Sequence, residues 1–189
     1  MFTKYVEGFL TKDECEEIIQ LGKSSELLRM KSSRFVNGKL VEQNVEYDNN
    51  KRTGCYFIGD TLDTPVLKNL SKKIIELSNQ INPFNGVTYE DIVSYSFNQY
   101  CEGDFLDWHS DNHEVLNGAT ITYIVQLNDD YTDGYVKYML NEDEHFVEKK
   151  QGSVFIFDSN IQHSVDKVTF GERFSLNVWP RKKIKKSLI

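Results

Sequence analysis

The sequence predicts a mainly β fold with flanking α: a double-stranded β-helix, or jelly roll, buttressed by N-terminal helices. Helical periodicity is confined to the first part of the chain. Beyond Pro83 the pattern changes to short alternating runs broken by Gly, Asn and Asp, as in double-sheet jelly rolls. At 189 residues and 39% hydrophobic composition, the chain can bury one sizeable core and is short for two.

Thr11-Lys12-Asp13-Glu14 offers an N-cap and an acidic first turn. Cys15, Ile18, Ile19, Leu21, Leu27 and Leu28 recur at helical spacing, so a helix is expected over about residues 12–30. A second helix follows Pro65, with Leu67, Leu70, Ile74, Ile75 and Leu77 as its apolar stripe, up to about Gln80. Residues 37–54 are polar and read as an exposed loop that could serve as a lid. Strands are expected over 92–100, 119–127, 135–140, 146–149, 153–157, 165–168 and 173–179. The organisation expected is a single domain, 1–189: a helical buttress over about 1–82, a jelly-roll core over about 88–180 and a basic tail, 181–189.

Composition narrows the function. A net charge of −7 argues against broad affinity for nucleic acid or anionic membranes, so nucleic acid is not an expected partner. The exception is Arg181-Lys182-Lys183-Ile184-Lys185-Lys186, read as a solvated, mobile end. No stretch approaches the roughly 18 apolar residues of a membrane helix, and Met1 to Leu10 lacks the pattern of a secretory leader. A soluble cytoplasmic protein is the expectation. Cys15, Cys55 and Cys101 are odd in number and lack framework spacing, which fits a reducing compartment. The oligomeric state is not legible.

The chemistry concentrates in Trp108-His109-Ser110-Asp111, in His163 and in the last predicted strand. In an extended strand, residues two apart project from one face, so His109 and Asp111 can reach one ion and His163 can complete a three-ligand set. Two imidazoles and a carboxylate suit non-haem iron(II), with open positions for cosubstrate and dioxygen. A structural zinc site would want four ligands, commonly thiolates at short spacing; zinc is disfavoured but stays open. An isolated His-x-Asp is more often a surface histidine beside a carboxylate. His113 ranks below His163 as a partner, because Asn112, Asn117 and Gly118 disfavour a continuous helix. His145, among Asn141, Glu142, Asp143 and Glu144, reads as a solvated loop tip without a role.

In Arg173-Phe174-Ser175-Leu176-Asn177-Val178-Trp179 polar and apolar residues alternate up to Val178. With the apolar face against the fold's shell, Arg173, Ser175 and Asn177 point into a cavity, where a guanidinium needs an anion. Its planar fork suits a carboxylate, with the Ser175 hydroxyl as a further donor. An edge strand with a solvated polar face explains this segment nearly as well.

From about residue 92 to 179 the chain resembles the 2-oxoglutarate/Fe(II)-dependent dioxygenases, specifically the prolyl 4-hydroxylase-like family. The residues that carry the resemblance are Tyr100-x-x-Gly103-x-Phe105 before His109-x-Asp111, then Leu127-Asn128, then Gly152-Ser153-Val154-Phe155-Ile156-Phe157 before His163, and Gly171-Glu172-Arg173-Phe174-Ser175 running to Trp179. Phe9-Leu10-Thr11-Lys12-Asp13-Glu14-Cys15 resembles that family's entry into its first helix. The resemblance implies that His109, Asp111 and His163 are the catalytic iron ligands. It implies that Arg173, Ser175 and Tyr100 hold the far carboxylate of 2-oxoglutarate, and that Trp179 lines the cavity.

The chain departs from many relatives in carrying Asp133-Gly134-Tyr135-Val136 where they have Gly-Gly and an acidic residue, which puts the local hairpin in doubt. Animal collagen-type enzymes use lysine in place of Arg173. In such relatives residues 37–54 would border the cavity entrance, making Arg52 and Tyr56 candidates for substrate contact.

The implied cofactor set is Fe(II), 2-oxoglutarate and dioxygen, with ascorbate as a stimulant. The leading expectation is hydroxylation of a prolyl residue in a peptide or protein. The alternatives are a hydroxylase of a free amino acid or other small molecule, or a non-enzymatic jelly-roll metal-binding or sensor protein. Nucleobase demethylation recedes, because such enzymes carry a second arginine where this chain has Trp179.

Overall fold

The computed structural model describes residues 2–30, 33–36, 39–42, 50–82, 87–111 and 121–184. In chain order its elements open with β1 (Thr3–Val6), α1 (Lys12–Ser24), β2 (Leu28–Arg29), β3 (Ser33–Val36), β4 (Lys39–Glu42), β5 (Asn50–Lys51) and β6 (Thr53–Phe57). A short 3-10 turn, Gly59–Asp63, precedes α2 (Pro65–Ile81). Then come β7 (Val87–Asp91), β8 (Tyr95–Tyr100), β9 (Phe105–His109), β10 (Ile121–Gln126), β11 (Thr132–Asp133) and β12 (Val136–Leu140). The chain ends through β13 (Asp143–Phe146), β14 (Val154–Asp158), β15 (His163–Val165), β16 (Val168–Phe170), β17 (Arg173–Val178) and β18 (Arg181–Ile184).

Two antiparallel sheets form the jelly roll. The large one runs β1-β14-β10-β17-β8-β6-β2 and the small one β13-β12-β15-β9-β5. Strand alternation divides the large sheet into two faces. Phe97, Tyr123, Val125, Val154, Ile156, Phe174, Leu176 and Val178 pack with the helices in one core, while Tyr100, Ile124, Phe155 and Phe157 join Leu106, Val136 and Val165 in a second core between the sheets.

The helices seat on the first face for reasons written in their residues. Thr11 and Glu14 form a reciprocal capping box at the start of α1, and Glu14 also meets Asn69 and Lys73 of α2. Gly22 lets α1 approach closely: a Cβ there would lie 2.4 Å from the Phe97 ring. Pro65 occupies the first turn of α2, where its missing N–H costs nothing. Ser71 and Ser78, two turns apart, bond the hydroxyls of Tyr95 and Tyr123 at 2.6 and 2.7 Å and tie α2 to the sheet.

Several elements differ from the expectations. Helix α1 stops at Ser24, because the Ser24 and Ser25 hydroxyls turn back to the Leu21 carbonyl; Leu28 and Arg29 are then a strand paired with β6. The region expected as a helical buttress thus also contributes β1, β2 and β6 to the large sheet. Much of 37–54, expected as a loop, is strand (β4, β5 and the start of β6); residues 37–38 and 43–49 lie outside the described residues, so the lid expectation is not addressed there.

The strand expected over 92–100 is β8, which begins only at Tyr95, with β7 a separate strand before it, and that expected over 165–168 is divided between β15 and β16. The strand expected at 146–149 lies at 143–146 instead. Asn141 and Glu142, both at positive φ (53° and 72°), make a two-residue turn that folds it onto β12. His145 is therefore a strand residue stacked on Tyr138, not a loop tip. The start of the expected tail is also ordered, since β18 pairs with β7 and Arg181 and Lys183 face Asp91 and Glu90 at 3.3 and 3.1 Å. Among the described residues, no helix is long and apolar enough to cross a membrane.

Candidate metal and anion site

The small sheet brings the two histidines together. His163 of β15 is the register partner of His109 on β9, whereas Val165 pairs with Leu106. Two steps along β15 therefore match three along β9, so β9 carries one extra residue, a bulge. Strict alternation would put Leu106 and His109 on opposite faces. The bulge lets Leu106 enter the inner core while His109 meets His163, and leaves Trp108 38% exposed.

Asp111 arrives differently from the extended-strand expectation. It lies beyond the end of β9, in a bend held by its own N–H donating to the Ser159 carbonyl at 3.0 Å. Its Oδ1 is 3.6 Å from His109 Nε2 and its Oδ2 is 3.6 Å from His163 Nε2. One ligand atom from each of the three residues falls within a 4.8 Å cluster. His113 lies outside the described residues.

Hydrogen bonding fixes which imidazole nitrogens face the cluster. His109 Nδ1 lies 2.8 Å from the Asp107 carbonyl and His163 Nδ1 lies 3.1 Å from the Ile161 carbonyl. A carbonyl only accepts, so both Nδ1 atoms carry a proton, and it is the neutral form of each ring that presents an Nε2 lone pair to the cluster. Among the described residues His163 Nε2 is buried with no hydrogen-bond partner. An orphaned buried acceptor is costly unless a ligand meets it. Burial first, then the neighbouring His163, pushes the His109 pKa down to about 4. Burial opposes ionisation of Asp111, but His163, His109 and hydrogen bonds from Trp179 and Thr122 outweigh it and hold the carboxyl below its ordinary range. Two neutral imidazoles and a carboxylate are the donor set of a non-haem iron(II) site, so these residues fit that metal.

The anion side is built on β17. Arg173, Ser175 and Asn177 are all buried and lie on the face opposite Phe174, Leu176 and Val178, as the alternation predicts. Arg173 donates to the Ser175 hydroxyl at 3.1 Å and to Gln126 Oε1 at 3.3 Å, and its guanidinium carbon sits 5.0 Å from the Tyr100 ring centroid. Its Nε has no partner, and no acidic side chain pairs with it among the described residues. A guanidinium 1% exposed and lacking a counter-charge among the described residues has the chemistry to receive an anion. Tyr100 meets Arg173 through its ring rather than through a hydroxyl hydrogen bond.

Four neighbours escaped the sequence reading. Gln126 touches Arg173 and donates to the Tyr131 hydroxyl at 2.5 Å, and that hydroxyl in turn interacts with Arg173. Thr122 reaches Asp111, backed by Ser159. Thr122 and Gln126 had a signal, being polar residues four apart on one face of an apolar strand; Tyr131 and Ser159 had none.

Residues 95–181 match the model of the 2OG-Fe(II) oxygenase superfamily. No curated protein matches the chain by sequence. Among solved structures, a Pseudomonas putida prolyl-4-hydroxylase is similar with a TM-score of 0.72 and 20% identity, over 95% of this chain and 91% of that one. A Trichoplax adhaerens prolyl hydroxylase in complex with a hypoxia inducible factor peptide fragment has a TM-score of 0.75 and 18% identity, over 94% and 82%. SnoN, a non-haem α-ketoglutarate-dependent epimerase of nogalamycin biosynthesis, has a TM-score of 0.68 and 14% identity, over 99% and 81%.

Proposed function

We propose that the chain, whose residues 95–181 match the model of the 2OG-Fe(II) oxygenase superfamily, is a dioxygenase that uses Fe(II), 2-oxoglutarate and dioxygen to hydroxylate a prolyl residue in a peptide or protein. The observation that carries the chemistry is the pairing of the His109–Asp111–His163 cluster with a buried Arg173 that lacks a counter-charge among the described residues. A structural metal site has no use for such an anion receptor. The prolyl substrate rests on the fold shared with prolyl hydroxylases, one of them in complex with a peptide.

In this reading His109 Nε2, His163 Nε2 and an Asp111 oxygen hold the iron. Arg173 binds the far carboxylate of 2-oxoglutarate with Ser175 beside it, and the Tyr100 ring covers the guanidinium. Bound iron with 2-oxoglutarate supplies the oxidation: one atom of dioxygen goes to succinate as carbon dioxide leaves, and the other enters a C–H bond as hydroxyl. The chain's own part is positioning. Arg173 fixes the acid at one end, and Phe155, Phe157 and Ile124 between the sheets keep water from the cavity.

The similarity to SnoN supports a second reading, in which the same chemistry acts on a small molecule. Incubation with a proline-rich peptide panel, 2-oxoglutarate and iron(II) separates the two. Gain of one oxygen atom on a proline supports the first. Succinate formation that no peptide stimulates moves the assignment to the second.

A further inference from the structure

The two oxygens of Asp111 are not equivalent. Each oxygen lies 3.6 Å from one histidine Nε2, Oδ1 from His109 and Oδ2 from His163, but Oδ2 also accepts the Thr122 hydroxyl at 3.1 Å and the Trp179 indole N–H at 3.1 Å, whereas Oδ1 accepts no hydrogen bond among the described residues. A carboxylate only accepts, so the Thr122 hydroxyl spends its proton on Asp111 and must itself accept from Ser159 Oγ, 3.0 Å away. Ser159, fully buried, also holds the Asp111 backbone through its carbonyl. Three elements thus converge on one side of one carboxylate: β10 through Thr122, the turn after β14 through Ser159, and the residue after β17 through Trp179.

We propose that Thr122 and Trp179 are positioning residues that reserve Asp111 Oδ2 as a hydrogen-bond acceptor, so that Asp111 meets the metal through Oδ1 alone. Two charge-assisted bonds on Oδ2 stop the carboxylate from rotating and from engaging the ion with both oxygens, which keeps a coordination position open for the reaction. Trp179 follows the strand that carries Arg173 at its other end, so one strand sets both the anion receptor and the angle of the carboxylate ligand. The partly exposed indole also walls the site.

This inference rests on the reading of His109, Asp111 and His163 as metal ligands, and Co(II) binding followed by visible absorption tests both apart from turnover. The wild type binds Co(II) and His163→Ala does not; failure of the wild type to bind would overturn the ligand reading and the inference together. With binding established, Trp179→Phe keeps the ring but loses the donor, and Thr122→Val keeps the shape but loses the hydroxyl. Each is expected to raise the Co(II) dissociation constant about 10-fold or more and to shift the Co(II) absorption bands. Thr122→Ser, which retains the hydroxyl, restores the wild-type affinity and spectrum. Wild-type affinity and spectrum in both Trp179→Phe and Thr122→Val would overturn the positioning role while leaving the ligand reading intact. So would a Thr122→Ser variant as impaired as Thr122→Val.

Discussion

His109 and His163 are direct cross-strand partners, their ring centroids 4.1 Å apart, and each turns its Nδ1 to a backbone carbonyl two residues earlier in its own chain segment. The tautomer of both rings is therefore set by local backbone before any ion arrives. The fold presents a pair of Nε2 atoms to one cluster, one of them buried without a hydrogen-bond partner among the described residues.

On the anion side, Arg173→Ala removes a charged hydrogen-bond donor worth about 1.5–3 kcal/mol. The KM for 2-oxoglutarate should rise by about 10- to 100-fold, while iron binding is retained. Steady-state kinetics at varied 2-oxoglutarate checks this, and an unchanged KM would remove Arg173 from its assigned role.

The helix-to-sheet tie makes a stability prediction. Ser78→Ala strands the buried Tyr123 hydroxyl and should cost about 1–3 kcal/mol in urea unfolding. Tyr123→Phe added to it removes the stranded group, so the double variant should recover part of that loss. Equal loss in both would mean that the hydrogen bond is not the cause.

Glu14 gives a pH prediction. Partial burial works against its charge, but the Thr11 N–H and Lys73 prevail and hold its carboxyl below the ordinary value of 4.5. A group with a depressed folded pKa stabilises the protein above its unfolded pKa and loses that contribution as pH falls through the folded value. Glu14→Gln should therefore lower stability near neutrality and flatten its fall in acid, as thermal unfolding across pH would show. Equal destabilisation at every pH would contradict the ionic part of the argument.

The sequence revealed what depends on local pattern. Alternation in Arg173–Val178 identified the buried polar row, helical spacing placed α2, and the ligand residue types came from their chemistry. What escaped it depends on partners far along the chain. The β9 bulge exists only as a mismatch of count against β15, so Leu106 and His109 could not be seen to share an interior. Strands β2, β5 and β6 are short, and their pairing comes from β6, β9 and β8 respectively rather than from an alternating pattern of their own. The register of β13 was decided by two positive-φ residues, Asn141 and Glu142, neither of them glycine. The bonds from Thr122 and Trp179 to Asp111 join segments that no spacing rule connects.

We propose above that His109, Asp111 and His163 hold a catalytic iron served by 2-oxoglutarate. The measurement that tests it most directly is succinate formed from 2-oxoglutarate when air is admitted to the anaerobically iron(II)-loaded protein, with His163→Ala alongside. Iron-dependent succinate is expected from the wild type and none above background from the variant. Equal succinate from the two proteins, or none from the iron-loaded wild type with the peptide panel present, would contradict it.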